Sequence, residues 1–240
     1  MNELRKMILD LIFPRRCLGC EILLGDNSES TICPGCLSEI TTGYMLRCAF
    51  CNLITPNGVT CDLCKPGHSL DQLLVTTSYD NPLVEKIMKT MKYRFVKSLA
   101  HDISSLMIDY LHKRLLDKEN LTIIPIPLHR LRLNWRGFNQ SEVIAERISN
   151  HLDLKLLTDA VARKDNNQSQ ASIPNRASRA TNTTGIFKCI KPESVKNKNI
   201  LLIDDISTTG STLDECAKEL KSAGANRIMG FVFARGLAIL

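Results

Sequence analysis

Four C-x-x-C turns crowd into the first 64 residues, and nothing else in the chain restricts its folding as much. They are Cys17-Leu18-Gly19-Cys20, Cys33-Pro34-Gly35-Cys36, Cys48-Ala49-Phe50-Cys51 and Cys61-Asp62-Leu63-Cys64. Such a turn aims two sulfurs and several backbone N–H groups at one point, and two turns complete a tetrahedral four-thiolate site suited to Zn2+. Twelve residues separate Cys20 from Cys33 and nine separate Cys51 from Cys61, and both gaps suit a zinc ribbon. The competing reading is a disulfide framework, which needs an oxidising compartment. The N-terminal MNELRKMILDLIFPRRC has an apolar patch, but Asp10 interrupts it and no small-residue cleavage site follows. It reads as a short amphipathic helix and not as a secretion signal. We therefore expect a cytoplasmic protein that holds structural zinc. Sequential pairing gives one site from Cys17, Cys20, Cys33 and Cys36 and a second from Cys48, Cys51, Cys61 and Cys64; crossed pairing stays open. Four thiolates leave no coordination position for chemistry. A module this small has little core, so the metal supplies most of its stability, about 10–16 kcal/mol per site.

The remainder has a different composition. After Cys64 the breaker-rich KPGHS marks a boundary, which divides the chain into a double zinc-ribbon module over 1–68 and a second domain over 69–240. Leu73–Tyr79 reads as a strand. Asn81-Pro82 opens a helix, with Val84, Ile87, Met88 and Met91 at helical spacing. A second helix is expected from about Val96 to Leu116. A strand over 121–127, a helix over 140–152, a buried strand over 199–206, a helix from Ser211 to Ala223 capped near Gly224, and a strand from Arg227 to Ala234 follow. This alternation predicts an α/β domain with a mostly parallel sheet. No apolar run approaches the 18 or so residues of a membrane span. Cys189 and Cys216, outside the C-x-x-C set, read as buried packing residues.

The stretch ILLIDDISTTGST, residues 200–212, carries the candidate chemistry. Asp204 and Asp205 sit at the carboxyl end of a buried strand, where open α/β sheets bind ligands. Ser207, Thr208, Thr209, Gly210, Ser211 and Thr212 then lead into a helix. Such a loop turns N–H groups inward beneath a helix dipole, and short hydroxyls add donors, which makes a phosphate cradle. Gly210 lets the backbone approach an anion closely. The chain has neither G-x-x-x-x-G-K-[ST] nor G-x-G-x-x-G. Carboxylates beside a phosphate repel it but accept hydrogen bonds from sugar hydroxyls, so the pattern suits a phosphorylated ribose.

A second segment, R-G-F-N-Q at 136–140, lies between a strand end and a helix start. Arg136 can pair bidentately with phosphate oxygens. Gly137 permits an unusual backbone or a close approach. Asn139 is placed to cap the helix, with Glu142 in the capping-box position. Phe138 reads as a packing residue, and Trp135, the one tryptophan, either packs or stacks a base, with packing the favoured reading. From Arg163 to Lys198 eight Lys/Arg face two acids, a surplus equal to the whole chain's net charge of +6. That clustering suits an anionic partner or a solvated loop. Within it Arg176 and Arg179, and more weakly Lys164 and Gln168, are candidates for pyrophosphate or nucleic-acid contact.

These segments together resemble a known family. ILLIDDISTTGST is similar to the phosphoribosyl-pyrophosphate (PRPP) motif of type I phosphoribosyltransferases. IPIPLHRLRLNWRGFNQSEVIAERI (124–148), RKDNNQSQASIPNRASRATNTTGIF (163–187) and the N-terminal C-x-x-C turns resemble the ComF family of competence-associated, phosphoribosyltransferase-like proteins. The resemblance runs from Cys17 to about Arg235. It implies a type I phosphoribosyltransferase sheet. Asp204 and Asp205 would hold the ribose 2′- and 3′-hydroxyls, and Ser207–Thr212 the 5′-phosphate. Arg136 and Gly137 would lie at the pyrophosphate, Mg2+ would bridge sugar and pyrophosphate, and 163–185 would be a mobile lid. Asp204, Asp205 and Arg136 would then be the catalytic set.

Two functions follow from the resemblance. One is Mg2+-dependent transfer of phosphoribose to an unnamed acceptor. The other is a non-catalytic factor that handles single-stranded DNA during uptake, alongside other competence proteins, with PRPP as a regulator. Six residues follow the last expected strand at Ala234, so any acceptor-binding hood is expected from the zinc module, the segment 72–118 or another chain.

Overall fold

The computed structural model describes residues 14–25, 29–43, 46–94, 96, 98–114, 121–164 and 185–236. The expected N-terminal helix, most of the expected lid, Gln168, Arg176 and Arg179 lie outside them.

Each cysteine set closes on itself in sequence order. Cys17, Cys20, Cys33 and Cys36 bring their sulfurs within 4.8 Å of one another, and so do Cys48, Cys51, Cys61 and Cys64. The ring sizes explain the order, because each ribbon is a local hairpin closed by one antiparallel bridge, Arg16 to Leu23 in the first and Arg47 to Ile54 in the second. Backbone N–H groups of Gly19 and Cys33 point at the Cys17 sulfur, at 3.4 and 3.2 Å. Burial opposes ionisation of Cys17 and Cys48, yet such N–H groups outweigh it and bring each thiol down to about 6. Two preformed four-thiolate pockets of this kind fit structural zinc.

Within the second C-x-x-C turn, Pro34–Ser38 forms a one-turn helix, α1, capped by the Cys33 sulfur. The sheet-bearing part of the chain then opens with β1 (Gln72–Ser78) and α2 (Pro82–Tyr93). The Asn81 side chain accepts from the N–H groups of Leu83 and Val84 and so caps α2. Val84, Ile87, Met88 and Met91 are all buried, as their spacing predicts. Next come α3 (Leu99–His112), shorter at both ends than expected, β2 (Leu121–Pro125), α4 (Arg130–Arg136) and α5 (Gln140–Leu152). β3 (Lys155–Leu156), β4 (Val161–Arg163), β5 (Phe187–Cys189), α6 (Pro192–Val195), β6 (Asn199–Ser207), α7 (Ser211–Ser222) and β7 (Ile228–Arg235) complete the order. α4 and the short strands β3, β4 and β5 were not expected from the sequence, since two to seven residues are too few to declare a period.

Five strands form one sheet in the order β1-β7-β6-β2-β3, and every neighbouring pair is parallel. This is the mostly parallel α/β sheet of the type I phosphoribosyltransferase kind. β4 and β5 pair antiparallel beside it. Alternate residues of β6 go to opposite layers: Leu201 and Ile203 join α2, α3 and α5, while Ile200 and Leu202 join α7. Both faces are thus covered, and the strand reads as a continuous apolar run for that reason. Among the described residues no helix is long and apolar enough to cross a membrane.

The two ribbons grip opposite layers. Cys17, Ile32, Cys33, Cys36 and Ile40 of the first share a core with α2 and α3, whereas Ala49 of the second, with Leu70 from the link to β1, shares a core with β1 and α7. A buried carboxylate anchors the first ribbon. Asp102 of α3 accepts from the Ser30 hydroxyl, the Thr31 N–H at 2.9 Å and the Thr31 hydroxyl at 2.6 Å.

Metal analysis of the purified chain should therefore return about two zincs, each held by four thiolates; a metal-free, oxidised protein would contradict the assignment. Asp102→Ala should lower unfolding stability in urea by about 3 kcal/mol, since it removes the buried carboxylate that three half-buried donors of the first ribbon share. A loss below half that would show the anchor to be dispensable.

Candidate active site

In the strand order, β2 leads on to β3 in one direction and β6 leads on to β7 in the other. Their shared boundary is the switch point at which parallel sheets open a crevice beyond the carboxyl ends. A cavity of about 300 Å3 lies there, at the small end of the ligand-pocket range. Its floor comes from the end of β6, Asp204, Asp205 and Ile206, and from Ile126, Pro127 and Leu128 beyond β2. Arg132 and Arg136 of α4 and Asn139, Gln140 and Ser141 at the start of α5 form one wall, with Lys92, Arg163 and Thr212 around the rim. Four cationic side chains thus face two carboxylates, which suits a polyanion.

The two acids are not equivalent. Asp205 is buried and its Oδ1 lies 2.9 Å from the Lys92 ammonium. Asp204 Oδ1 accepts from the Ser141 hydroxyl at 2.8 Å and from the Asp205 N–H at 2.9 Å. Burial and the neighbouring Asp205 charge push Asp204 up to about 7, against the pull of Ser141 and Lys92. The pair is therefore short of positive charge at close range, although arginines stand further round the cavity.

Two donors in the wall are unspent. Arg136 gives Nη1 to the Gln140 Oε1 at 3.0 Å, but its Nε has no partner among the described residues. The Gln140 Nε2 is likewise buried without a partner among them. Burial lowers Arg136 below its usual range, with the Asp205 charge opposing that. Leaving such donors unpaired costs stability unless a ligand takes them up.

Local sequence explains how the wall is built. α4 ends at Gly137, whose φ of 75° is left-handed and whose N–H returns to the Leu133 carbonyl at 2.7 Å. A Cβ there would meet open space, so the backbone and not a close approach requires the glycine. Asn139 caps α5 through Ser141 N–H at 3.2 Å and ties it to the Ile126 carbonyl at 3.0 Å. Phe138 packs against the core as expected. Trp135 does not: it is 58% exposed, with its edge toward Tyr93 at 6.3 Å between ring centroids.

The expected anion turn is shorter than its sequence. Ile206 and Ser207 still belong to β6, and Ser207 is buried opposite Arg235. The turn proper is Thr208, Thr209 and Gly210, after which Ser211 and Thr212 begin α7. Thr208 and Thr209 are exposed, and the Thr209 and Ser211 hydroxyls lie 3.0 Å apart. Gly210 has φ 77°, a conformation costly for other residues.

Lys92, Arg132, Gln140, Ser141 and Arg163 line the cavity without having been assigned a role from sequence. Lys92 and Arg163 come from distant parts of the chain and carry no local motif. Arg163 does head the basic run, and its guanidinium lies over the Phe187 ring, 5.6 Å from its centre. Lys164, next to it, is exposed and does not line the cavity. Cys216 is fully buried, but Cys189 is only half-buried.

Comparison with known proteins agrees with this architecture. The family description "Phosphoribosyl transferase domain" matches residues 139–238, and "Double zinc ribbon domain" matches residues 8–65. Competence protein F of Haemophilus influenzae is 26% identical over 230 residues, covering 93% of this chain and 98% of its own. The DNA utilization protein YhgH of Escherichia coli K12 is 29% identical over 210 residues, covering 86% and 91%. Competence protein ComFC of Bacillus subtilis is 26% identical over 226 residues, covering 86% and 85%.

The raised Asp204 carries a pH signature. Its folded value of about 7 exceeds the ordinary 3.8, so the native state holds a proton that the unfolded state has released between those limits. Stability should fall as pH rises through that window. Asp204→Asn keeps the Oδ1 acceptor and loses the charge. It should melt at the wild-type temperature near pH 4 and several degrees higher at pH 8; identical melting at both pH values would refute the shift.

Proposed function

Because this chain belongs to the ComF family of phosphoribosyltransferase-like proteins with an N-terminal double zinc ribbon, we propose that the cavity beyond β2 and β6 binds PRPP with Mg2+ and transfers its phosphoribosyl group to an acceptor. One observation supports this above the others. Two adjacent carboxylates, one of them pushed toward neutrality by burial and by the other's charge, share a cavity with four cations and two buried donors that have no partner among the described residues. That set matches a sugar carrying anionic groups at both ends.

Asp204 and Asp205 accept the ribose 2′- and 3′-hydroxyls. The turn Thr208–Gly210, with Ser211 and Thr212, receives the 5′-phosphate at the start of α7. Arg136 Nε and Gln140 Nε2 face the pyrophosphate, with Arg132 and Arg163 adding charge from α4 and β4. Hard oxygen donors and surplus negative charge at Asp204 and Asp205 fit Mg2+. When bound, the metal neutralises charge on the leaving pyrophosphate. The C1–O bond to pyrophosphate breaks as the acceptor's lone pair forms a bond to C1, and the acceptor gives up a proton. The protein's part is electrostatic: its arginines stabilise negative charge growing on the leaving group, while Asp205 stands near the cationic sugar. No side-chain nucleophile is needed.

The second reading, a single-stranded DNA-binding factor regulated by PRPP, draws on the basic run from Arg163 and on the printed names of relatives concerned with competence and DNA utilization. Both readings require PRPP in the cavity, and they part at turnover.

A thermal-shift titration with PRPP decides the shared step. Saturation a hundredfold above Kd should stabilise wild type by about 2.7 kcal/mol by mass action, with Mg2+ strengthening the effect. Asp204→Asn/Asp205→Asn should show no shift; a wild type without one would end the ligand assignment. Pyrophosphate release with candidate acceptors would then support transfer. Salt-sensitive DNA binding that survives the double substitution, without release, would support the second reading.

A further inference from the structure

The second ribbon does more than stabilise its own loops, because it is built against the turn that carries the anion site. The two central residues of the Cys48–Cys51 turn, Ala49 and Phe50, lie at van der Waals distance from Gly210. A Cβ placed on Gly210 would sit 3.4 Å from the Ala49 Cβ and 3.4 Å from the Phe50 Cε1. The other face of Phe50 is covered by His68, whose ring stacks on it at 3.4 Å and 6°. His68 Nδ1 lies 2.7 Å from the Asp214 Oδ2, and the Ser69 and Leu70 N–H groups donate to the Asp214 Oδ1 at 2.7 and 2.9 Å. Asp214 in turn donates its own N–H to the Gly210 carbonyl at 2.9 Å. The contact closes a ring: Gly210, Phe50, His68, Asp214 and back to Gly210.

A buried arginine fixes the same ribbon turn to the sheet. Arg235, the last residue of β7, pairs in register with Ser207 at the base of the anion turn. Its Nη2 donates to the Ala49 carbonyl at 2.6 Å and to the Asn52 Oδ1 at 2.9 Å, and its Nη1 to the Cys48 carbonyl at 3.4 Å. Zinc ligation by Cys48 and Cys51 sets the shape of that turn. Metal, ribbon turn and anion turn are therefore consecutive links of one packed chain.

We propose that Phe50 and His68 are positioning residues, through which the zinc-shaped second ribbon holds Thr208–Thr212 in the conformation that receives a phosphate. Neither side chain is a zinc ligand, and neither lines the cavity. Exposed Thr208 and Thr209 make few contacts of their own, so the turn owes its order to what lies behind it. Holding the N–H groups preorganised spares the ligand the cost of ordering them. The first ribbon has no such part, since it packs on the opposite layer with α2 and α3. The inference rests on the reading of Thr208–Thr212 as the phosphate site, but its local consequence can be measured without PRPP.

The test uses full-length Phe50→Ala and His68→Ala, with Phe50→Tyr as the conservative variant. Zinc content should stay at the wild-type value in all three, which separates positioning from loss of the ribbon. Amide hydrogen exchange read over 208–214 should accelerate about tenfold in both alanine variants, while β6 and β7 keep wild-type protection. Phe50→Tyr should restore slow exchange. PRPP affinity should fall about tenfold in the alanine variants and return with tyrosine, as preorganisation is lost and regained. Unchanged exchange over 208–214 with zinc retained would overturn the positioning role whatever PRPP does. Accelerated exchange in a protein whose wild type ignores PRPP would uphold the mechanical link and reject the ligand. Zinc loss in the alanine variants would overturn the proposal, since the two side chains would then be serving the metal site.

Discussion

Two carboxylates on consecutive residues at the end of a buried parallel strand repel each other, and the rest of the site is arranged around that cost. Strand geometry sends Asp204 and Asp205 to opposite faces, so each meets a different set of neighbours. Asp205 takes the Lys92 ammonium from α2, and Asp204 takes the Ser141 hydroxyl from α5. Neither partner removes the conflict, since burial and the Asp205 charge still hold Asp204 up at about 7. An arrangement of this kind is stable enough to persist and strained enough to favour a ligand that brings positive charge and hydroxyl donors. The unspent donors of Arg136 and Gln140 tell the same story from the opposite wall. Sites that bind are commonly places where local rules are broken and the surrounding fold absorbs the cost.

That surrounding fold is held from both sides by metal-shaped hairpins. One ribbon is tied to α3 by Asp102, the other to β7 by Arg235. Both anchors are buried charges satisfied largely by the main chain and hydroxyls of the ribbons. Such groups are costly to break because removing one partner strands the other. The hydrophobic clusters run without interruption from cysteine turn to sheet. Zinc and sheet therefore stabilise each other, and the small ribbons gain a core they could not build alone.

Much of this was legible before any coordinates. The C-x-x-C spacing announces two metal sites because ligand geometry is strict and local. The periods of Val84–Met91, the helix 140–152 and the buried run 199–206 announce their elements because each is long enough to display a repeat. Asp204 and Asp205, followed by a short-hydroxyl turn, mark the carboxyl end of β6 because several local requirements coincide. What stayed hidden was short or distant. α4 has only seven residues, three of them large, apolar and exposed, so its pattern points to no face. Ser207 looked like part of the turn but is held in the sheet by pairing with Arg235 of β7, 28 residues further along the chain.

By itself the sequence determined the local features: two four-thiolate sets, a parallel sheet, paired acids before a turn of short hydroxyls, and likeness to a recognisable family. Those properties rest on contacts between residues near one another in the chain, where spacing alone sets geometry. Only the tertiary structure decided which cations serve the acids, since Lys92 and Arg163 reach the cavity from separate elements. It alone placed Phe50 and His68 behind Gly210. Long-range packing obeys shape and burial, which leave no periodic trace in the linear order, and so the ribbon's hold on the anion turn became visible only once the chain was folded.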